Sequence, residues 1–114
     1  MKITTSTDGD VTVLELDGNL TIGAADEVFS GAVDRLLERN RTIIVLDMEH
    51  VPLVDSTGLG SLVRAHHRCV QAGGEARLSK IGFDVWKLFE AAQLAGVIPI
   101  FENRMMAIEG RSET

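Results

Sequence analysis

Four consecutive apolar residues, Ile43-Ile44-Val45-Leu46, limit the fold of this chain more than any other stretch. They lack the apolar–polar alternation of a strand with one wet face, as expected of a strand covered on both faces. The segment Thr42 to Asp47 is therefore read as a buried strand, and the flanking sequence supplies helices to cover it. Ala24 to Arg39 places Ala25, Val28, Phe29, Ala32, Val33, Leu36 and Leu37 on one stripe at helical spacing. Asp34, Arg35, Glu38 and Arg39 fall largely off that stripe. A second helix opens at Ser56-Thr57-Gly58 and runs to about Gln71, with Leu59, Leu62, Val63, His66 and Val70 on its stripe. Gly73-Gly74 ends it.

The rest of the chain falls into the same rhythm. Lys2 to Thr7 and Val11 to Asp17 are β-prone and flank Asp8-Gly9-Asp10, a hairpin signal. Gly18-Asn19 breaks the second strand, and Leu20 to Ile22 is read as a short resumption. Pro52 lies in the connection after the buried strand. Glu75 to Lys80 alternates, with Ala76 and Leu78 on one side, and is a strand. Phe83 to Ala92 is a helix facing Val85, Trp86, Phe89 and Ala92 inward. Val97 to Phe101 is a last strand that Pro99 assigns to a sheet edge. Asn103 to Ile108 is a short final helix. This order predicts an α/β fold: a mixed, mainly parallel sheet of four to five strands, an N-terminal hairpin and about four helices. One domain spans 1–109, and 110–114 is expected to be a disordered C-terminal tail.

Composition excludes several functions. Seventeen acidic against eleven basic residues give a formal charge of −6, which disfavours direct contact with nucleic-acid phosphates. Four Phe, one Trp and no Tyr leave few platforms on which bases could stack. The single cysteine, Cys69, allows no internal disulfide and fits a reducing compartment. The residues from Met1 to Asp10 carry no apolar signal core, and no run approaches the ~20 apolar residues of a membrane helix. A cytoplasmic protein without membrane insertion is expected. The oligomeric state is left open.

The stretch Val51-Pro52-Leu53-Val54-Asp55-Ser56-Thr57-Gly58-Leu59-Gly60 stands out for function. A buried strand exits, a loop turns, and a helix starts at a Ser/Thr pair. Serine there can cap free backbone N–H groups, and the ordinary reading is an N-cap among small packing residues. The same position suits a phosphate, because a helix N-terminus offers donors and the positive end of a dipole. Gly58 and Gly60 would let another protein approach closely.

Asp55-Ser56-Thr57-Gly58-Leu59-Gly60, following Ile43–Leu46 and Asp47, resembles the signature of STAS-domain anti-sigma factor antagonists. Leu16-Asp17-Gly18-Asn19-Leu20, Gly73-Gly74-Glu75-Ala76-Arg77-Leu78 and Leu88-Phe89 also fall where that family has similar residues, so the resemblance covers nearly the whole chain. It implies the STAS fold and Ser56 as a phosphoacceptor. The implied partners are an anti-sigma factor that is also an ATP-dependent serine kinase, and a metal-dependent serine phosphatase that reverses the modification. The unphosphorylated protein would bind the kinase and release a sigma factor, in a partner-switching control of transcription. Asp55, Thr57, Gly58, Leu59 and Gly60 would form the contact, with Asn19 and Thr21 of the upstream loop. That loop departs from many antagonists at Asn19, where an acid is frequent, and at Thr21, Ile22 and Gly23. A rival within the fold is a scaffold or transporter-associated STAS protein, such as a stressosome component or a lipid-transport subunit. A rival of another class is a nucleotide-responsive or enzymatic domain.

Other residues have plainer readings. His66 and Cys69 sit one helical turn apart, but two ligands do not make a metal site, so His66 is read as packed and Cys69 as a small helix residue. Trp86 is read as core or core edge. Asp26, Glu27, Asp34 and Glu38 are read as a solvated helix face. No phosphate loop of P-loop form and no paired His and nucleophile occur, so no catalytic residue and no cofactor are assigned. Ser56 is read as a substrate, not a nucleophile.

Overall fold

In the computed structural model, which describes residues 1–111, the apolar run is the middle of the central strand. Five strands lie side by side in chain order: β1 (Lys2–Asp8), β2 (Val11–Asp17), β3 (Ile43–His50), β4 (Glu75–Ser79) and β5 (Ile100–Phe101). β1 and β2 form an antiparallel hairpin, and every later neighbour is parallel. Gly9 takes φ +59° and Asp10 does not, so the two-residue turn places its glycine first, as in a II′ hairpin.

The helices are α1 (Ala24–Glu38), α2 (Ser56–Gln71), α3 (Phe83–Ala91) and α4 (Arg104–Glu109). Parallel crossovers between strands in sequential order share one hand, which puts their helices on one face. Phe29, Val33 and Leu36 of α1, Leu62 and Cys69 of α2 and Val85 and Phe89 of α3 accordingly share a core with Leu14, Leu16, Ile44, Leu46 and Leu78. α4 follows β5 without a further crossover and covers the opposite face, where Ala107 meets Val11, Val13 and Val45. The expected buried strand thus has a cover on each side, and the α/β fold of the sequence reading is the fold observed.

Several local expectations change. β3 continues past Asp47 to His50, because Met48 is buried and Asp47 is itself buried beneath α4. Leu20 to Ile22 is not a strand: Leu20 makes an isolated parallel bridge to Val54 and Ile22 is exposed. Val28 and Val70 stand on the rims of their stripes and are exposed, so neither belongs to the core. The last strand is shorter than read, with only Ile100 and Phe101 paired to β4; Pro99, without an N–H, precedes it. Gly110, read as tail, takes φ 69° as the left-handed cap of α4, and Arg111 donates to the Met106 carbonyl at 3.2 Å. Residues 112–114 of the expected tail lie outside the described residues.

A hydrogen bond and an ion pair also correct the solvated-face reading of α1. Asp26 accepts from the buried Ser61 hydroxyl, and Asp34 pairs with Arg68. Both acids therefore tie α1 to α2, while Glu27 and Glu38 remain exposed. Trp86 is half-buried. No helix among the described residues is long and apolar enough to cross a membrane.

Candidate functional site

The parallel strands end together, and their loops gather at one end of the sheet, the usual place for sites in such folds. The β2–α1 loop, residues 18–23, is stitched to the β3–α2 loop, residues 51–55, by backbone. Gly18 donates to the His50 carbonyl at 3.0 Å, Leu20 to Leu53 at 2.9 Å, and Asp55 back to Leu20 at 3.3 Å. Ser56 is the first residue of α2 and is exposed.

The cap is Asp55, not the Ser/Thr pair. Its backbone is extended, its Oδ1 accepts from Gly58 N at 2.7 Å, and its Oδ2 accepts from Ile22 N at 2.9 Å. Carboxylate is the better acceptor for a helix N–H, since it also answers the dipole. The Ile22 bond first, then the Gly58 bond, holds the carboxyl below the ordinary aspartate value, although burial pulls the other way. Asp55 thereby does the structural work expected of Ser56 and leaves that hydroxyl outward.

Gly58 also has a different role from the one expected. It is buried, and a Cβ there would lie 2.1 Å from the Leu20 carbonyl oxygen. Only glycine lets α2 approach the upstream loop this closely. Gly60 is half-buried, and a Cβ would meet only the Arg64 guanidinium at 3.5 Å, an ordinary contact. Leu59 is buried in the core, so it holds the helix instead of facing outward. Thr57 is half-buried. Asn19 is exposed and Thr21 half-buried on the upstream loop. The structure thus brings Asn19, Thr21, Asp55, Ser56, Thr57 and Gly60 to one end, while Gly58 and Leu59 lie beneath them.

Sequence reasoning missed the exposed apolar side chains of these loops. Ile22 follows Leu20, Leu53 precedes Asp55, and Phe83 opens α3; they are 73%, 53% and 73% exposed. For Ile22 and Leu53 the signal is an apolar residue in a connection with no periodic partner. His66 is half-buried, and its Nδ1 accepts from Ala76 N at 3.1 Å, which gives this histidine a structural role. Burial pushes the Cys69 thiol up to about 11, against the opposing charge of Arg68, so it stays protonated at neutral pH.

The STAS domain family model matches residues 2–107. A Paenibacillus polymyxa protein named anti-sigma F factor antagonist is 26% identical over 98 residues, covering 86% of this chain and 84% of its own. The Thermotoga maritima protein TM1081 superposes with a TM-score of 0.88 at 23% identity, over 95% of this chain and 92% of that one. The anti-sigma factor antagonist SpoIIAA, in its unphosphorylated form, gives 0.74 at 16% identity over 96% of each chain. Its phosphorylated form, from Bacillus, gives 0.74 at 18% identity over 96% and 98%.

Proposed function

This chain belongs to the STAS domain family, and from that premise we propose that it is an anti-sigma factor antagonist switched by phosphorylation of Ser56. In its unphosphorylated form it binds an anti-sigma factor that is also a serine kinase, in the cytoplasm, and a serine phosphatase restores it. The observation that carries the reading is the division of labour at the start of α2. Asp55 satisfies the helix, so the neighbouring Ser56 hydroxyl is exposed at the positive end of the dipole. Phosphate can be added there without removing the cap. Ser61, the next serine in the helix, is buried against Asp26, which makes it a poor acceptor.

The partner's docking surface is the loop end of the sheet. Ile22, Leu53 and Phe83 supply apolar contact, and Asn19, Thr21, Asp55, Thr57 and Gly60 surround Ser56. Such a surface is suited to binding. A phosphoserine adds about −1.5 to −2 charges beside Asp55. A partner carboxylate ~4 Å away is then repelled by roughly 4 kcal/mol per charge pair at an effective dielectric near 20. Solvent reduces this, and a ten- to hundredfold loss of affinity, about 1.4–2.8 kcal/mol, is expected.

The test uses native lysate as the source of kinase and ATP as phosphate donor. The chain should take up one phosphate, and Ser56→Ala should take up none. Pull-downs should recover the partner with Ser56 free and lose it with Ser56→Glu. Undiminished labelling of Ser56→Ala, on Thr57 for example, rejects the acceptor. Equal recovery of an anti-sigma factor by both forms rejects the switch, and recovery of a permease–ATPase pair instead would support the transporter-associated rival.

A further inference from the structure

β1 lies at one edge of the sheet and, among the described residues, pairs only with β2. All its residues except Ile3 are exposed. Sheet edges are normally protected by a proline, a bulge, an inward charge or very short length. β1 is seven residues long, keeps one register with β2 throughout, contains no proline and is uncharged from Ile3 to Thr7. Its charges, Lys2 and Asp8, stand at its two ends.

The direction of the free groups follows from the turn. Asp8 and Val11 close a two-residue hairpin loop, so they exchange hydrogen bonds with each other. Alternation then points the backbone groups of Ser6, Thr4 and Lys2 toward β2, and those of Ile3, Thr5 and Thr7 outward.

We propose that this edge pairs antiparallel with the same edge of a second copy, about a two-fold axis at Thr5. In that register Lys2 faces Asp8 of the partner subunit, and Asp8 faces Lys2 of the partner subunit. Thr4 faces a serine, Thr5 faces itself, and Ile3 faces a threonine. Every outward backbone group is paired, and the contact is isologous. Opposite charges and hydroxyl pairs directly across antiparallel strands are favourable. A slip of two residues either way sets one charge against a hydroxyl and carries the other beyond the strand, so the charges select one register. Thr5 and Thr7 share the side of β1 on which Ile3 packs against the core, yet both are exposed, so that side of the edge is open to a second copy. The surface is small, so dimers form in a concentration-dependent equilibrium. The pairing is independent of Ser56.

Sedimentation equilibrium on the whole chain tests this, with circular dichroism to confirm that each variant is folded. The parent should associate as concentration rises. Lys2→Asp alone and Asp8→Lys alone each set like charges across the interface at both ends and should weaken association about tenfold. An equimolar mixture of the two single variants should associate again, as a heterodimer, because each copy brings the charge the other lacks. Thr5→Cys should cross-link to itself on mild oxidation, Cys69 being buried, and Thr4→Cys should not. A parent that stays monomeric throughout, single variants that associate as well as the parent, or a mixture that stays monomeric would each overturn the proposal. So would Thr4→Cys cross-linking as fast as Thr5→Cys.

Discussion

Asp47 and Asp55 sit at and just beyond the carboxyl end of β3, and they join it to the rest of the molecule by different chemistry. Asp47 points to the α4 face and is 3% exposed. It takes Arg104 Nε at 2.9 Å and Nη2 at 2.6 Å, while Glu15 pairs with the same guanidinium. Those two acids, Glu15 first and Asp47 second, push the Arg104 guanidinium further up. Asp55 is partly exposed on the other side and holds backbone N–H groups from both the upstream loop and its own helix. One junction depends on a distant side chain of opposite charge. The other depends on the path of the main chain, and so it tolerates changes around it as long as the backbone stays in place. The loops proposed to meet a partner are built on the second kind, which leaves their surface side chains free for that contact.

The sharpest way to break this contrast is to move the backbone itself. Gly58→Ala forces a methyl group against the Leu20 carbonyl and should cost about 3 kcal/mol in urea unfolding, at the upper end for overpacking. Gly60→Ala, two residues on but without such a contact, should shift stability by no more than about 1 kcal/mol, upward if at all, since alanine favours helix. Equal losses in the two variants would mean that close approach to Leu20 is not what Gly58 provides.

A smaller effect should come from the charged junction. Arg104→Met leaves the Asp47 carboxylate buried with, among the described residues, only the Glu49 N–H for a partner, next to Glu15 on β2. Breaking a buried pair is costly, but the Arg104 side chain is 40% exposed, so water softens the loss to about 2 kcal/mol. The same denaturant titration checks it, and a loss under about 0.5 kcal/mol would place this pair with ordinary surface bridges.

The smallest effect concerns Asp55 and pH. Its folded value lies below the ordinary 3.8, so ionisation favours the folded loop. That contribution is complete above the unfolded value and is lost as pH falls through the folded one. The amide signals of Ile22 and Gly58 should therefore hold steady in mild acid and move together only below 3.8, and Asp55→Asn should abolish the transition. A midpoint above 3.8 would show that the two hydrogen bonds do not hold the carboxylate.

Much of this was readable in the amino-acid order, because periodicity and turn residues report local geometry. The run at 43–46, the helix after Asp55 and the glycine-bounded strand at 75–79 all follow from neighbours in sequence. The Ser/Thr pair was legible as a helix start, but not which residue caps it: Asp, Ser and Thr are all good caps, and only the loop path through Ile22 selects Asp55. The Arg104 cluster was missed because its partners lie 57 and 89 positions away, where no local pattern reaches. Val28 and Val70 were over-read because helical spacing gives the centre of an apolar stripe and not its width. Gly58 was correctly singled out and wrongly explained, since a small residue looks the same whether space is needed for a partner or for the chain itself.

The seam between the two loops has a consequence for recognition. Ser56 is presented by a turn whose carboxylate is held by Ile22 and whose glycine rests on Leu20, more than thirty positions earlier in the chain. A synthetic peptide spanning Val54 to Gly60 would carry the whole hexapeptide and none of these restraints. A kinase that reads the signature as it stands on the protein reads a shape made by two separate segments. On the proposed reading, the hexapeptide grafted into an unrelated loop should therefore be ignored, and any event that parts the two loops would withdraw Ser56 from the proposed kinase without altering a single residue of the motif.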